Sequence, residues 1–195
     1  AVNMKALEIY EKAETEYNSL TNKKEKLAHE REDVLILINE IDSKKKDLFM
    51  KTFNVLNKNF EAIFKTLATK GEAFLKLEDE KDPFNGGTEI KVRIAGKKFL
   101  DIRSLSGGEK TMTALAFIFA VQEHDPASFY ILDEVDAALD KKNSEKLAEL
   151  VRQYSGRAQY ILVSHNDGVI TQADNLYGVS MNGATATSKV TSLKI

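Results

Sequence analysis

The stretch FYILDE, Phe129 to Glu134, sets four apolar residues in a row and ends them on two carboxylates. A run this short, with no polar alternation, reads as a strand covered on both faces. AQYILVSH, residues 158–165, repeats the pattern and ends on Ser164 and His165. Between them KKNSEKLAELVRQY, residues 141–154, carries Leu147, Leu150, Val151 and Tyr154 on one helical face. Strand, helix and strand of these lengths predict a right-handed βαβ unit with parallel, doubly buried strands. In an open parallel sheet, ligands bind where the strands end. Asp133, Glu134, Ser164 and His165 are therefore expected along one edge.

An acidic pair after an apolar strand is the Walker B arrangement of nucleotide hydrolases. The first carboxylate helps to hold Mg²⁺, directly or through water, and the second lies nearer the attacking water. Two carboxylates are needed because one offsets phosphate charge through the metal while the other accepts a proton. Taken alone, four apolar residues followed by Asp-Glu is a weak signal, since strand ends are often acidic. His165 strengthens it, because it ends the neighbouring strand; its bland alternative is a capping histidine.

Upstream lies SLSGGEK, residues 104–110, followed by the apolar TMTALAFIFAVQ. Ser106 and Glu109 have the spacing of a capping box, which explains a helix start structurally. The helix that follows is apolar nearly all round and is expected to be buried. A capping box needs no glycine pair, and each glycine costs about 1 kcal/mol relative to alanine. Gly107 and Gly108 bare the free N–H groups at the positive end of the helix dipole, where a phosphate can approach. The phosphate cradle G-x-x-x-x-G-K-S/T is absent. The only Gly-Lys pair is Gly96-Lys97, with Lys98 where Ser or Thr is required and Lys91 in place of the first glycine. The chain therefore has a metal-and-base element and a phosphate-facing helix start, but is not a complete P-loop NTPase.

The N-terminal part differs in character. No glycine precedes Gly71 and no proline precedes Pro83, so nothing earlier breaks a helix. Heptad d positions over residues 3–48 are Ala6, Ala13, Leu20, Leu27, Val34, Ile41 and Leu48, all apolar. The a positions Asn3, Tyr10, Tyr17, Lys24, Arg31, Ile38 and Lys45 are apolar at only three places. That thin seam suits a two-stranded coiled coil whose partner strand lies outside this chain. A helix near 50 residues would run about 75 Å, too long for a small globule. The division expected is a coiled-coil segment over residues 1–50 and a globular lobe over 51–195. The helix starts the lobe with Phe53, Phe60, Phe64 and Leu67 entering a core. DPFNGG (82–87) reads as a loop, TEIKVRI and KKFLDI around Ala95-Gly96 as a hairpin, and YGVSM and TSKVTSL around Asn182-Gly183 as a second.

Bulk properties exclude several classes. The 195 residues carry a net charge of −2, so no global basic field points to nucleic acid. The absence of cysteine removes disulfides, thiolate chemistry and cysteine metal sites. No apolar run reaches the roughly 20 residues that span a bilayer, and no signal peptide opens the chain. A soluble, intracellular protein is expected. A charged fraction of 30% without tryptophan leans towards a thermophile. Ala1 falls inside a helical pattern, so the chain is expected to be cut from a longer one.

In this order the residues resemble the ATP-binding-cassette superfamily. LSGGEK matches its signature motif, FYILDE its Walker B strand, AALD its D-loop and His165 its switch histidine. DEVDAALD, Asp133 to Asp140, narrows the likeness to the structural-maintenance-of-chromosomes (SMC) ATPases, since the related break-repair ATPases usually carry proline where this chain has Val135. The resemblance implies an α/β fold: the C-terminal lobe of an ABC-type ATPase head, with a parallel βαβ core, flanking antiparallel hairpins and a preceding coiled-coil helix, most like the prokaryotic proteins. The cofactors implied are ATP and Mg²⁺. Asp133 would complete the metal site, Glu134 activate water and His165 contact the γ-phosphate. Ser106, Gly107 and Gly108 would face the nucleotide of an opposing head, with Asp140 near that interface. The partners implied are the N-terminal lobe bearing the Walker A loop, a second head in a homodimer, a kleisin subunit and DNA, with no membrane. The location implied is cytoplasmic and chromosome-associated. Lys44 to Lys46 could touch DNA, although a solvated face is the simpler reading. Two alternatives stay open: a lobe of a related DNA-repair ATPase, and a coiled-coil scaffold that only docks a partner.

Overall fold

The computed structural model describes residues 4–68, 70–94, 96, 98–183 and 186–194. Asn3, Ala95 and Lys97, used above, lie outside them, as does Ala1. The described elements run α1 (Met4–Leu67), β1 (Gly71–Leu77), β2 (Thr88–Ile94), β3 (Leu100–Asp101), α2 (Gly107–His124), β4 (Phe129–Asp133), α3 (Lys141–Ser155), β5 (Gln159–Val163), α4 (Asp167–Ile170), β6 (Asn175–Asn182) and β7 (Thr187–Lys194). The chain divides into two units, one up to Lys51 and one from Thr52 onward.

The described residues of the first unit are all helix. Its apolar d-row side chains Leu20, Leu27, Val34, Ile41 and Leu48 are all exposed, and so are Tyr10 and Tyr17 of the a row. Among the described residues no helix is long and apolar enough to cross a membrane.

The second unit holds the core. Helix α1 enters it with Phe60, Ile63, Phe64 and Leu67, each at most 7% exposed. A side chain at Gly71, the first residue of β1, would stand 2.7 Å from the Phe64 ring, so glycine is required there. The sheet β1–β2–β3 is antiparallel, with Gly71 opposite Ile94 and Leu77 opposite Thr88. Strand β1, GEAFLKL, alternates buried and accessible positions along its length. The sequence reading assigns no element there, although that period-two pattern is the strand signal.

The first hairpin differs from expectation. Among the described residues of KKFLDI, only Leu100 and Asp101 pair with β2. Phe99 instead sets its ring edge-on to Phe74 at 5.0 Å, with the Arg93 guanidinium 4.7 Å above it. Ring packing takes the place of ladder pairing at that residue. The second hairpin is regular, β6 against β7 from Asn175 opposite Lys194 to Asn182 opposite Thr187.

Strands β4 and β5 pair in parallel, Phe129 opposite Gln159 through Asp133 opposite Val163, with α3 between them in sequence. They are not buried on both faces. Leu132, Tyr160 and Leu162 join the core beside α2 and α3. Phe129, Ile131, Ile161 and Val163 lie on the opposite face and are 44–61% exposed. A run that reads as doubly covered is thus covered once, because this chain supplies helices to one side of the pair. Helix α2 is likewise not enclosed all round. Met112, Leu115, Ala116, Phe119 and Ala120 are buried, while Ile118 and Val121 are exposed.

The aromatic part of the core carries a pH signature. Phe119 packs on Tyr154 and Tyr160, and Tyr160 stacks on Tyr130 at 5.1 Å. The Tyr160 hydroxyl donates to Gln122 Oε1 at 2.9 Å. Burial pushes the Tyr160 phenol up to about 12, and burial with the nearby Glu123 carboxylate does the same for Tyr154. A phenol whose pKa is raised on folding adds stability below its unfolded value near 10, and that stability is lost as pH rises towards 12. Two of the six tyrosines should therefore ionise late in a tyrosinate absorbance titration of the folded protein, together with loss of near-UV circular dichroism. Tyr160→Phe should remove one of them.

Candidate active site

The two parallel strands end side by side, and the chain leaves each in a different way. After Asp133 the backbone turns at Glu134, whose φ of 47° lies in the left-handed region. That conformation is uncommon for a residue with a Cβ and costs on the order of 1–2 kcal/mol. The Glu134 N–H donates to the Val163 carbonyl at 2.9 Å, extending the β4–β5 ladder by one bond. His165, two residues beyond Val163, brings Nε2 to 3.4 Å from Glu134 Oε1. Both side chains face solvent, His165 at 88% and Glu134 at 56% exposure. A carboxylate and an imidazole are thus paired at the carboxyl edge of the sheet, with exposed Asp133 next to Glu134 in the chain.

Sequence reasoning missed what holds these loops. Asp136, 5% exposed, accepts a hydrogen bond from Ser164 Oγ at 2.6 Å. The Asn166 N–H donates to the same Ser164 oxygen at 2.9 Å, and Asn166 Nδ2 donates to Ser144 Oγ on α3 at 2.8 Å. The only available signal was the polar character of these residues near the strand ends, which does not reveal pairing across 28 positions.

The start of α2 is a second cluster. Ser106 is its N-cap, with Glu109 Oε2 accepting the Ser106 N–H at 2.9 Å. A short 3₁₀ turn at Ile102–Ser104 leads into it. The turn is pinned by Asp101, whose Oδ1 accepts from Arg103 N and Nε at 2.9 and 2.8 Å. The Arg103 side-chain hydrogen bond, helped by its backbone N–H, holds the Asp101 carboxyl down at about 2. The two glycines have different reasons. A Cβ at Gly108 would lie 3.1 Å from the Ala138 carbonyl oxygen, so that glycine lets the helix start approach the loop that follows Glu134. A Cβ at Gly107 would meet nothing within 4 Å. The expectation that both glycines lack a structural return is corrected: it holds for Gly107 alone.

Asp140 has a local task, since its Oδ1 accepts the Asn143 N–H at 2.8 Å and caps α3. The structure therefore joins Glu134 to His165, and Gly108 to the loop between Glu134 and Asp140. No hydrogen bond or ion pair among the described residues links Ser106 or Gly107 to the Glu134–His165 pair. Asp133 offers the hard oxygen that suits Mg²⁺, an ion usually held by one or two carboxylates together with substrate phosphates.

Residues 4–188 match the family model described as the RecF/RecN/SMC N terminal domain. The chain is 44% identical, at a TM-score of 0.71, to a chain solved in work on ATP-driven dimerization and DNA stimulated activation of SMC ATPases, covering 89% of that chain and 76% of this one. This chain belongs to the SMC family. Within it, the chromosome partition protein Smc of Pyrococcus furiosus is 45% identical over 194 residues. That alignment takes in all of this chain and 16% of the relative, so the chain spans about one-sixth of the length of the curated SMC proteins it matches. The SMC head of the same organism, solved with an extended coiled coil and bound to the C-terminal domain of ScpA, superposes at a TM-score of 0.83 with 44% identity. It covers 97% of this chain and 47% of that one. The mixed α/β lobe after a long helix is the architecture of SMC heads.

Proposed function

We propose that this chain is the C-terminal lobe of an SMC ATPase head, residues 51–195, with a coiled-coil stub over residues 1–50, and that it supplies half of an ATP-hydrolysing site. The observation that carries this is the Glu134–His165 pair at the ends of two parallel strands, one residue beyond Asp133. Glu134 is the general base that takes a proton from the attacking water. His165 contacts the γ-phosphate of the same nucleotide, and Asp133 contributes to the Mg²⁺ site. Ser106 and the amides of Gly107 and Gly108 meet the γ-phosphate of a nucleotide held by an opposing head, and Asp140 lies near the interface between heads. The unfilled space at Gly107 supports that role.

The matching family model is described by an N-terminal domain; the lobe assignment rests on motif content, signature helix and Walker B strand without a P-loop. The bare face of Phe129, Ile131, Ile161 and Val163 supports a complementary lobe that adds further covering to β4 and β5. The exposed apolar d row of α1 supports a returning coiled-coil strand. Pairing of heads, stimulation by DNA and binding of an ScpA-type kleisin, described for the relatives, are the partners proposed here. The setting is the chromosome, in the cytoplasm of a prokaryote.

The test is reconstitution. This chain alone should show negligible ATP turnover, and mixing it with the Walker A lobe of the same protein should restore hydrolysis. A mixed pair that binds but never hydrolyses, even at saturating ATP, would favour a docking scaffold instead.

A further inference from the structure

We infer that Ser164 and Asp136 are positioning residues that lock the two post-strand loops together and thereby set Glu134 and His165 for hydrolysis. The inference rests on the reading of Glu134 as the base. The β4–β5 ladder ends at Asp133 opposite Val163, with one further bond from the Glu134 N–H to the Val163 carbonyl. Beyond that point backbone pairing stops, yet both chemically important side chains lie there. Side chains continue the link. Ser164 Oγ donates to Asp136 Oδ2 and accepts from the Asn166 N–H, and Asn166 reaches on to the fully buried Ser144 of α3. His165 sits between Ser164 and Asn166, so the residues on either side of it are pinned while its own solvent-exposed ring reaches Glu134.

Glu134 needs such a clamp. A left-handed backbone at a residue with a side chain persists only where its surroundings over-determine it. The Ser164–Asp136 bond ties the loop that leaves Glu134 to the loop that carries His165. The Ala137 N–H also donates to the Glu134 carbonyl, and the Leu139 N–H to the Asp136 carbonyl. Asp136 is thus the fixed point about which the Glu134 turn closes. A buried carboxylate is a costly way to fill a loop, and a bond this short from a serine specifies geometry more narrowly than an apolar contact.

The test uses the full-length protein. Ser164→Ala should lower kcat for ATP hydrolysis about tenfold or more while KM moves less than about twofold. Without nucleotide, amide exchange at Glu134 and Asn166 should quicken about tenfold, with the amides inside β4 and β5 unchanged. Ser164→Thr, which keeps the hydroxyl, should restore kcat to within about threefold. In a Glu134→Gln background, Ser164→Ala should add less than about threefold, because the base it positions is gone and only His165 is left to set. Should Ser164→Ala fail to fold, Asp136→Asn keeps the shape and weakens the acceptor, and should move kcat and Glu134 exchange in the same direction. A kcat within twofold of wild type, an unchanged Glu134 exchange rate, or a loss that persists in full in the Glu134→Gln background overturns the inference. If Glu134→Gln itself leaves hydrolysis intact, it is the assignment of the base that has failed.

Discussion

Glu134→Gln is expected to cut ATP hydrolysis by the assembled head by about a hundredfold or more while ATP binding and ATP-driven pairing of heads persist. A positioned general base contributes about 10²- to 10⁴-fold, and an amide in its place cannot accept the proton of the attacking water. Glutamine keeps the length of the side chain and its hydrogen-bonding reach towards His165, now 3.4 Å away. The substitution should therefore remove chemistry without removing shape. The prediction separates two observables: single-turnover hydrolysis collapses, whereas the fraction of paired heads at saturating ATP rises, because the step that releases them is blocked. Hydrolysis at the wild-type rate by the reconstituted pair would show that the proton acceptor lies elsewhere.

The second large effect concerns the start of α2. Ser106→Arg should weaken ATP-driven pairing of heads by about a hundredfold or more, and change nucleotide affinity within one head by less than about twofold, because a bulky cation forced into a desolvated contact is left unpaired there. The milder Gly107→Ala sharpens the argument. Its added methyl meets nothing within 4 Å in this chain, and alanine is the better helix former. Denaturant midpoints should therefore stay level or rise, by up to about 1 kcal/mol in stability. Pairing should nevertheless fall, since on the proposed role the methyl would stand where a phosphate approaches the amides. Stability and pairing moving in opposite directions would mark a residue selected for a ligand. If analytical ultracentrifugation shows Gly107→Ala pairing normally with ATP, the helix start is architecture alone.

Gly108→Ala would not serve as that test, although the two glycines are adjacent in sequence. Its methyl would stand 3.1 Å from the Ala138 carbonyl, so the loop after Glu134 would have to give by a few tenths of an ångström. Any change in pairing would then be mixed with a change in that loop. Only the tertiary structure distinguishes the two positions. Sequence reasoning assigns both the same cost and the same purpose, because helix propensity is a local quantity and a close approach to a carbonyl thirty residues away is not.

The same division runs through the fold. Helix α3, the short apolar strands β4 and β5 and the terminal hairpin were legible because their periodicities and turn residues are local. LSGGEK and DEVDAALD pointed to the family because each is a run of particular residue types in a fixed order. Coverage of the strands was not legible. Phe129, Ile131, Ile161 and Val163 spell a doubly buried pair, yet they face solvent here, since hydrophobicity records that a face is to be covered and not what covers it. Strand β1 went unassigned despite its alternation, and KKFLDI reads as a longer strand than Leu100–Asp101, because Phe99 finds better packing on Phe74 and Arg93 than a ladder position would offer.

From residue order alone came the family, the elements that carry its motifs, and the side chains that bear charge at the strand ends. Tertiary structure alone decided that Glu134 turns through a left-handed backbone, that His165 lies within 3.4 Å of it, and that Asp136, Ser164, Asn166 and Ser144 form one hydrogen-bonded ladder. The reason is physical. Motifs are set by the chemistry of single side chains and their near neighbours, whereas the direction of a side chain depends on hydrogen bonds between segments that meet only once the sheet has formed.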